Sequence, residues 1–371
     1  MDADVVVVGA GLLGLACARA LARRGHEVIA FDQAQVGHEA GGSKGSCRIF
    51  RLGYDDAWWV GLAMRARAHW AELEDECGRR LLQPTPHLTF GPRLDAVRAA
   101  MLKAGAPHEM LPADAAAQRF PQIAADGPAL LEPQSAVIAA DAALRALAAA
   151  VPDLRTGVRV TGLADDGRQV TASTDAGSVT ARTAVVCAGP WTGALLAGSG
   201  IAVPSTATLE QVGYLAPAAE PGPAMPIFIG HGTPEPYGLP VPGSPLYKIG
   251  FHHSGPVVDP DRQEQGPDPD LTARLVSLAR QHVPGLPPGL VATERCVYDN
   301  SPDEDFVVDR VGNIVIGSGT SGHGFKFGPM LGEWLADLAS GGQADGGTGR
   351  AADPAARRLS LARLGATVGP H

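Results

Sequence analysis

The feature that most constrains this chain is an apolar run leading directly into a glycine-rich turn. Residues 5–8 are four consecutive valines, the pattern of a buried parallel strand, and residues 9–14 read Gly-Ala-Gly-Leu-Leu-Gly. Helical periodicity covers residues 12–23, and a second apolar run at 28–31 ends at Asp32. Strand, turn, helix and second strand in this order predict a βαβ unit of an α/β fold.

The glycines of this turn are those that a dinucleotide-binding loop requires. Gly9 permits the tight turn, Gly11 lets the backbone approach a pyrophosphate, and Gly14 allows the helix to pack closely on the strand. The pyrophosphate then lies at the positive end of the helix, and Asp32 is placed to bind a ribose hydroxyl. We therefore predict dinucleotide binding; the alternative is an ordinary glycine-rich turn between a strand and a helix.

Composition limits the class of protein. With 371 residues, 45% of them hydrophobic, the chain is long enough for two domains. A net charge of −9, without a long Lys/Arg run, argues against nucleic acids and anionic membranes as partners. We also expect neither a membrane span nor a signal peptide, because no apolar run is long enough for the first and no charged leader precedes the first strand.

Cysteine and histidine spacing predicts a reducing compartment and no metal site. No CxxC pair or zinc-type spacing occurs among the five cysteines, which are Cys17, Cys47, Cys77, Cys187 and Cys296. His252 and His253 are adjacent, so in a strand their side chains would point to opposite faces. We therefore expect a cytoplasmic protein without a bound metal ion.

Patterns further along the chain predict a nucleotide-binding domain interrupted by β-rich segments. Helices are predicted at residues 57–78, 139–150, 268–282 and 331–340. Strands are predicted as an antiparallel meander at 154–160, 169–174 and 178–180, as a buried strand of the nucleotide domain at 183–187, and as final strands at 307–309 and 313–317. Low apolar content predicts that residues 341–349 are mobile.

The predicted fold class is α/β: a Rossmann-type domain interleaved with a β-rich α+β domain that binds substrate. The segments assigned to the Rossmann-type domain are 1–80, 151–204 and 291–345. Those assigned to the substrate-binding domain are 81–150 and 205–290, and residues 346–371 form a C-terminal tail.

Two further segments are rich in charged residues. Arg48 and Arg51 lie three residues apart. Gly322 and Gly324 flank a histidine and precede Lys326, just ahead of a predicted helix. Such a turn lets the backbone and a cation approach a planar ligand closely.

With these segments, the chain resembles, nearly end to end, the monomeric sarcosine oxidase and N-methyltryptophan oxidase family of FAD-dependent amine oxidases, in the D-amino-acid-oxidase-like superfamily. The motifs that carry the resemblance are GAGLLG at 9–14, CRIFR at 47–51, VVCAGPW at 185–191, YGLP at 237–240, KIGFH at 248–252, CVY with SPDEDF within 296–306, and SGHGFKF at 321–327. The resemblance implies that the dinucleotide is FAD and that the Rossmann-type domain is FAD-binding.

The resemblance also implies how the cofactor is attached and reoxidised. Cys296 matches the position at which these enzymes attach FAD covalently; the alternative is a buried structural thiol. Lys248 matches the lysine near the flavin that promotes reaction with O₂, since a fixed cation stabilises a superoxide anion. The alternative for Lys248 is a surface lysine extending from a strand end.

Substrate recognition is implied in the same way. Arg51 and Lys326 match the pair that binds the substrate carboxylate, for which Arg supplies a two-pronged donor and Lys a point charge; a structural ion pair is the alternative for Arg51. His252, which we predict to be catalytic, and the substrate-binding Tyr237 and Tyr298 fall at cavity positions, with core packing as the alternative. The cofactor-binding residues implied are Gly9, Gly11, Gly14, Asp32, Ser43, Lys44, Arg48, Val160, Gly189, Cys296, Gly322, His323, Gly324 and Phe325.

Three residues depart from the family pattern. Lys44 stands where close relatives often carry histidine. Trp58 and Trp59 replace smaller or less aromatic residues near the cavity entrance, either as helix packing or as a wall for a planar substrate. Because adjacent helical residues project about 100° apart, we expect one in the core and the other facing substrate or solvent.

Together these features predict FAD-dependent oxidation of the C–N bond of a secondary or cyclic amino acid to an imine, with O₂ reduced to H₂O₂. The expected partners are a small amino-acid substrate and O₂, and the expected state is a monomer. A dehydrogenase that passes electrons to a carrier is the nearest alternative, and a non-catalytic nucleotide-binding protein is another.

Overall fold

The computed structural model describes residues 1–219, 222–264, 266–341 and 355–365. The strands, in chain order, are β1 Ala3–Val8, β2 Val28–Asp32, β3 Cys47–Phe50, β4 Leu82–Pro84, β5 His87–Phe90, β6 Glu109–Leu111, β7 Ala129–Glu132, β8 Ala136–Ala139, β9 Asp153–Thr156, β10 Val160–Asp165, β11 Val170–Thr174, β12 Gly177–Val186, β13 Thr206–Leu215, β14 Ile227–Gly230, β15 Glu235–Pro240, β16 Tyr247–His252, β17 Leu290–Asn300, β18 Val307–Val311 and β19 Ile314–Ser318. The helices are α1 Leu12–Arg23, α2 Ala57–Cys77, α3 Leu94–Ala104, α4 Ala113–Arg119, α5 Ala140–Ala149, α6 Thr192–Ala197, α7 Pro269–His282, α8 Gly328–Ala339 and α9 Ala355–Arg358.

The first sheet is the predicted Rossmann-type sheet. Its parallel core has the order β9-β2-β1-β12-β19, with β18 antiparallel on β19. Helices α1 and α8 pack against each other and, with α5, cover one face of the sheet. The predicted βαβ unit is present, with Val5 to Val8 in register with Val28 to Phe31.

The predicted meander is partly wrong. β10, β11 and β12 are antiparallel neighbours, but residues 154–160 are not a single strand of that meander. β9 instead lies parallel beside β2, and β10 begins only at Val160. The strands predicted separately at 178–180 and 183–187 are one strand, β12, whose first half pairs with β11 and whose second half pairs with β1.

The second sheet is mixed and has the order β17-β13-β16-β15-β14-β5-β7-β6, with α7 packed on β13 and β16. Its strands come from the segments predicted for the substrate-binding domain and, through β17, from the segment that begins at residue 291. A small third sheet has the order β3-β8-β4. The domain boundaries themselves stay a prediction.

Local capping signals explain the helix bounds. Asp56 accepts a hydrogen bond from the Trp58 amide at the start of α2, and Gly78, in the left-handed region, ends that helix. Asp268 caps α7 in the same way.

Among the described residues, no helix is long and apolar enough to cross a membrane. The stretch predicted to be mobile, 341–349, lies outside the described residues after Gly341.

Candidate active site

A cavity of about 550 Å³ lies between the first and second sheets. Every predicted site residue except Gly14 lines it, so the structure brings together positions from the whole length of the chain. The cavity extends from the turn after β1 to the loop before α8. Near β1 the wall is mostly backbone, around Gly9 and Gly11, and we call this part the cradle. Against the second sheet the wall consists of charged and aromatic side chains, and we call this part the chamber; it includes Arg51, Lys326, Tyr237, Lys248 and His252.

The cradle is made of backbone that leaves no room for side chains. Gly9 has φ +96°, and a Cβ there would lie 2.4 Å from the carbonyl oxygen of Cys187. A Cβ on Gly14 would lie 1.8 Å from the carbonyl oxygen of Gly9. Gly14 thus contributes by letting α1 pack onto the turn. Asp32, at the end of β2, is buried and accepts a hydrogen bond from the Ala10 amide at 2.7 Å.

The loop between β2 and β3 covers the cradle. Ser43 accepts a hydrogen bond from the Leu12 amide at 3.0 Å, which ties the loop to the start of α1. Arg48 donates to the carbonyl oxygens of Gly42 and Lys44, and its guanidinium lies 5.3 Å from the ring centroid of Phe325. Arg48 therefore fixes the loop in place. Lys44 itself is buried and pairs with Glu39.

One face of the second sheet forms the chamber wall, since alternate residues of a strand share a face. Lys248 and His252 of β16 line the cavity beside Tyr237 of β15, and Glu235 stands directly across from His252. Burial, followed by the charge of Arg48, lowers the pKa of Lys248. The sequence analysis did not single out Glu235, although its spacing of two from Tyr237 places it on the same face.

On strand β17, which β13 separates from β16, Cys296 and Tyr298 also face the cavity. The Cys296 sulfur lies 3.8 Å from the carbonyl oxygen of Gly42, beneath the cradle loop. Gly322 has φ +72°, and a Cβ there would come within 2.1 Å of the Tyr298 ring. Glycine at that position lets the loop before α8 pack directly over Tyr298.

Two cations converge on the chamber, the buried Lys326 and the half-buried Arg51. Lys326 is 4% exposed, and its Nζ donates to the hydroxyl of Tyr54 and the carbonyl oxygen of His323, both at 2.8 Å. The Arg51 guanidinium lies 4.1 Å from the centroid of the same Tyr54 ring, and its Nη1 is buried without a hydrogen-bond partner. Burial, and then the charge of Arg51, holds the pKa of Lys326 well below its usual range. An unpaired buried donor beside a second cation is the arrangement expected for an anion site.

A directional chain of hydrogen bonds runs from Lys326 along the chamber. The Tyr54 hydroxyl accepts from Lys326 and lies 3.2 Å from Nδ1 of His323, whose Nε2 lies 3.1 Å from the carbonyl oxygen of Glu304. Because a carbonyl only accepts, Nε2 carries the proton and Nδ1 accepts from Tyr54. Burial, followed by the charge of Lys326, holds the pKa of His323 well below its usual range, in agreement with a neutral ring.

A buried carboxylate that the sequence analysis missed supports Arg51. Glu132 is fully buried and accepts hydrogen bonds from the amides of Leu52 and Gly53, which follow Arg51 directly, and from Nδ1 of His87. Burial alone would raise the pKa of Glu132, but His87 and the Leu52 amide lower it to about 2. Glu132 thus fixes the backbone that carries Arg51.

The expectation that His252 and His253 point to opposite faces is wrong. Their rings stack with centroids 3.9 Å apart. β16 ends at His252, and His253 has φ +51°, a left-handed conformation that breaks the alternation of the strand. Among the described residues, His252, His253 and Glu304 also form a group of possible metal ligands whose ligand atoms lie within 4.8 Å of one another.

Neither tryptophan faces the cavity, so the expected aromatic wall for substrate is not formed by them. Trp59 is 6% exposed and packs edge-on against Phe306 and His323, behind the chamber. The guanidinium of Arg358 lies 4.4 Å from the centroid of the Trp58 ring. Both tryptophans are packing residues, the first of the two alternatives that the sequence left open.

Comparison with known proteins identifies the family. A family model described as FAD dependent oxidoreductase matches residues 4–338. The chain belongs to this family. Human peroxisomal sarcosine oxidase is 34% identical over 360 residues, which cover 91% of this chain and 92% of that protein. Monomeric sarcosine oxidase from Bacillus sp. (strain NS-129) is 32% identical over 366 residues, or 92% and 94% of the two chains.

A solved structure extends the likeness to the fold. The open form of NikD, described as an unusual amino acid oxidase essential for nikkomycin biosynthesis, has a TM-score of 0.84 and 27% identity, covering 96% of this chain and 97% of that one. The predicted family, the α/β fold class and the activity of an FAD-dependent oxidoreductase of the amine oxidase type are therefore confirmed.

The residues of the cavity fit FAD. The side-chain-free turn at Gly9, the helix start beside Gly11 and the carboxylate of Asp32 provide the contacts that a dinucleotide needs. Val160 and Gly189 line the same part of the cavity. The charged chamber lies beyond this cradle in the same cavity.

Proposed function

We propose that this enzyme oxidises the C–N bond of a secondary or cyclic amino acid to an imine and reduces O₂ to H₂O₂. The observation that carries the proposal is the convergence of Arg51 and Lys326 on Tyr54, with an unpaired guanidinium N–H. A carboxylate bound there would accept from both cations. Overall, two electrons and two protons pass from the amine to O₂.

The residues of the chamber position the substrate and set its charge. FAD, when bound, supplies the two-electron chemistry. Arg51 and Lys326 would hold the carboxylate, and Glu132 keeps Arg51 in place through the backbone at Leu52. Burial, and then the charge of His253, lowers the pKa of His252 to about 3. The His252 ring is therefore neutral near neutral pH and can accept a hydrogen bond from the substrate amine.

A peroxide screen tests the reaction and the substrate class. Sarcosine, N-methyltryptophan, pipecolate and other cyclic amino acids should be assayed for H₂O₂, each beside its amide or ester. We expect the acids alone to be good substrates, because Arg51 and Lys326 bind an anion. Equal turnover of acids and amides would contradict the carboxylate site, and a flavin spectrum that no amine bleaches would favour the non-catalytic alternative.

Lys248 separates an oxidase from a dehydrogenase. Its side chain is 6% exposed and faces the cavity from β16, so it offers a preorganised cation for the reduction of O₂. Lys248→Met should slow reoxidation by O₂ by about 10²–10³-fold while leaving reduction by substrate much less affected. Equal slowing of the two half-reactions, measured by stopped flow, would assign Lys248 to binding or structure.

Cys296 is the proposed point of covalent FAD attachment. In support, it faces the cavity under the loop held by Arg48. Acid precipitation of the wild-type protein should leave the flavin on the polypeptide, and Cys296→Ala should release it. Cys77, which does not line the cavity, is the matched control, and Cys77→Ala should retain the flavin. Complete release from the wild type would contradict attachment.

We further propose that the enzyme acts as a monomer on a small amino acid. Bacterial relatives are named monomeric sarcosine oxidases, which supports this state. A cytoplasmic location stays a prediction, and the human relative is named as peroxisomal. Light scattering of the holoenzyme would show a dimer if the proposed state is wrong.

A further inference from the structure

Asp299 is a buried carboxylate that the proposed function does not use. It lies near the end of β17, is 6% exposed and lines the cavity. Its Oδ2 accepts hydrogen bonds from the Ser318 hydroxyl at 2.7 Å and from the Gly319 amide at 2.6 Å. Its other oxygen, Oδ1, is buried without a hydrogen-bond partner. One oxygen of this carboxylate therefore lacks a donor.

The missing partner distinguishes Asp299 from the other buried acids. Among the described residues, no other carboxylate oxygen is both buried and without a hydrogen-bond partner. Glu132 and Glu210, which are also buried, each accept from several donors. Burial raises the pKa of Asp299, although the hydroxyl of Ser205 and the two donors to Oδ2 lower it. Because a buried acceptor without a donor is unfavourable, a donor supplied by a bound ligand would stabilise this site.

The position of Asp299 indicates which ligand group would supply that donor. Strands β1, β12 and β19 are parallel neighbours, so their carboxyl ends meet at one edge of the first sheet. The cradle follows β1, and Ser318 ends β19, two strand spacings or about 10 Å away. Alternation along β17 turns Asp299 away from the face of Cys296 and Tyr298 and towards this edge. Asp299 thus links the sheet edge that carries the cradle with the strand that carries Cys296.

The two ends of the cofactor site define what lies between them. FAD bound with its pyrophosphate at Gly11 and its ring system at Cys296 would cross this edge with its ribityl chain, whose hydroxyl groups can donate hydrogen bonds. The pyrophosphate end follows from the cradle, and the ring end rests on the proposed attachment at Cys296. The ribityl chain is therefore the part of FAD that would meet the free oxygen of Asp299.

From these observations we propose that Asp299 is a cofactor-binding residue, whose Oδ1 accepts a hydrogen bond from a hydroxyl group of the ribityl chain of FAD. Asp32 would bind the ribose at the adenine end of the cofactor, and Asp299 the sugar alcohol at its flavin end. A backbone amide anchors each carboxylate, that of Ala10 for the first and that of Gly319 for the second.

The hydrogen bonds to Oδ2 also give Asp299 a structural role. Through Ser318 and Gly319 the carboxylate joins β17 to the loop before α8, which carries His323 and Lys326. Loss of that link would weaken the binding of any flavin, whichever hydroxyl groups it carries. Direct contact instead predicts that the effect of Asp299 depends on one particular hydroxyl group.

Binding of FAD analogues to the apoenzyme separates the two roles. Cys296→Ala provides a background without covalent attachment, in which FAD is compared with analogues that lack the 2′, 3′ or 4′ hydroxyl of the ribityl chain. Loss of the contacted hydroxyl should weaken binding by roughly 10-fold to 100-fold, the range for a hydrogen bond to a charged group. Quenching of flavin fluorescence measures the Kd. If all three analogues bind as tightly as FAD, the proposal is wrong.

Asp299→Ala and Asp299→Asn, made in the same background, complete the test. In Asp299→Ala, FAD and the analogue without the contacted hydroxyl should bind about equally well. Asp299→Asn keeps an acceptor for Ser318 and Gly319 but replaces Oδ1 with an amide nitrogen, so it should preserve the loop and still reduce the dependence on that hydroxyl. An equal loss of affinity for FAD and all three analogues would show that Asp299 acts only through the loop, and would overturn the contact.

Asp309→Asn is the matched control. Asp309 also accepts from backbone amides, those of Arg310 and Leu361, but does not line the cavity. Its substitution should leave the affinity for FAD and the ranking of the analogues unchanged; a change as large as that in Asp299→Asn would contradict the proposal. Attachment at Cys296 is judged separately, by acid precipitation of the wild type, so the failure of one proposal is distinguishable from the failure of the other.

Discussion

The dinucleotide cradle and the charged chamber use the same cavity but are built in opposite ways. The cradle is backbone, formed by glycines and an acid within residues 9–32 and closed by Cys187. The chamber consists of side chains, and the hydrogen bond between Lys326 and Tyr54 spans 272 positions of sequence. Local sequence builds the turn that would receive the dinucleotide, whereas the substrate site depends on the whole tertiary fold.

The largest effect is expected where the cradle is tightest. In Gly14→Ala, the new Cβ would lie 1.8 Å from the backbone oxygen of Gly9, which cannot move without distorting β1 and α1. We expect insoluble protein or protein without flavin, because overpacking of rigid backbone typically costs about 1–3 kcal/mol or more. Flavin absorbance per mole of purified chain measures the effect.

Gly61→Ala is the matched control for that substitution. Gly61 lies within α2, and a Cβ there meets nothing within 4 Å. Alanine should therefore stabilise the helix by up to about 1 kcal/mol. Normal flavin content in both variants would show that the close approach at Gly14 is dispensable.

In the chamber, the largest effect should follow removal of either cation. Arg51→Ala and Lys326→Ala should each weaken transition-state binding by about 2–5 kcal/mol, or about 30-fold to several thousand-fold in kcat/KM. Lys103→Ala, at an exposed position of α3, should have no comparable effect. A loss below about threefold in both cavity variants would mean that the carboxylate binds elsewhere.

Removal of the Glu132 charge, which holds the backbone next to Arg51, should change the free energy of unfolding by a similar amount. Because the pKa of Glu132 is about 2 in the folded protein against 4.5 for a free side chain, its charge contributes about 3 kcal/mol of stability above pH 4.5. That contribution is lost as the pH falls from 4.5 towards 2. Glu132→Gln should therefore lower the free energy of unfolding at pH 7. The difference in free energy of unfolding between the variant and the wild type should become smaller as the pH falls below 4.5.

Urea unfolding at several pH values measures this difference. The control is Glu109→Gln, which breaks an exposed pair with Arg119 and should change stability by less than about 1 kcal/mol. A constant gap between wild type and Glu132→Gln from pH 7 to pH 3 would show that the Glu132 charge is not the stabilising element.

The smallest effect on catalysis is expected from the tryptophans. Trp59→Leu should lower the stability by about 2–3 kcal/mol, since a buried ring and its hydrogen bond to Asp305 are lost. Trp58→Leu should cost about 1 kcal/mol through Arg358. Neither should change the ratio of kcat/KM for sarcosine to that for pipecolate; a reversed ranking would show that a tryptophan does reach the substrate.

Much of the fold was predictable because its signals are local. The βαβ unit follows from residues 5–32, and Asp56 and Asp268 mark helix starts by capping chemistry that sequence displays directly. The partner of β9 was not predictable, because a strand pattern does not state which strand lies beside it. Residues 154–160 were assigned to the strands that follow them in sequence, whereas the parallel partner of β9 is β2, more than 100 positions earlier in the chain.

The candidate site shows the same difference between features with a local sequence signal and features that depend on long-range contacts. Motifs that resemble a known family predicted four of the site residues, and the structure brings them to one cavity: Cys296, Lys248, Arg51 and Lys326. Glu132 carries no motif, because its role comes from full burial and from an amide 80 positions away. His253 was assigned to the wrong face because the left-handed turn after β16 depends on contacts with two other loops.

Residues 355–365 dock on the loop that carries Glu304. Arg358 pairs with Asp305 and Asp56, Arg363 pairs with Asp303, and Leu359 is fully buried. A ribosome delivers the chain from its N terminus, and Arg358 emerges 53 positions after Asp305. During synthesis, therefore, we expect the loop that carries Glu304 to reach its final packing only after residues 355–365 have left the ribosome.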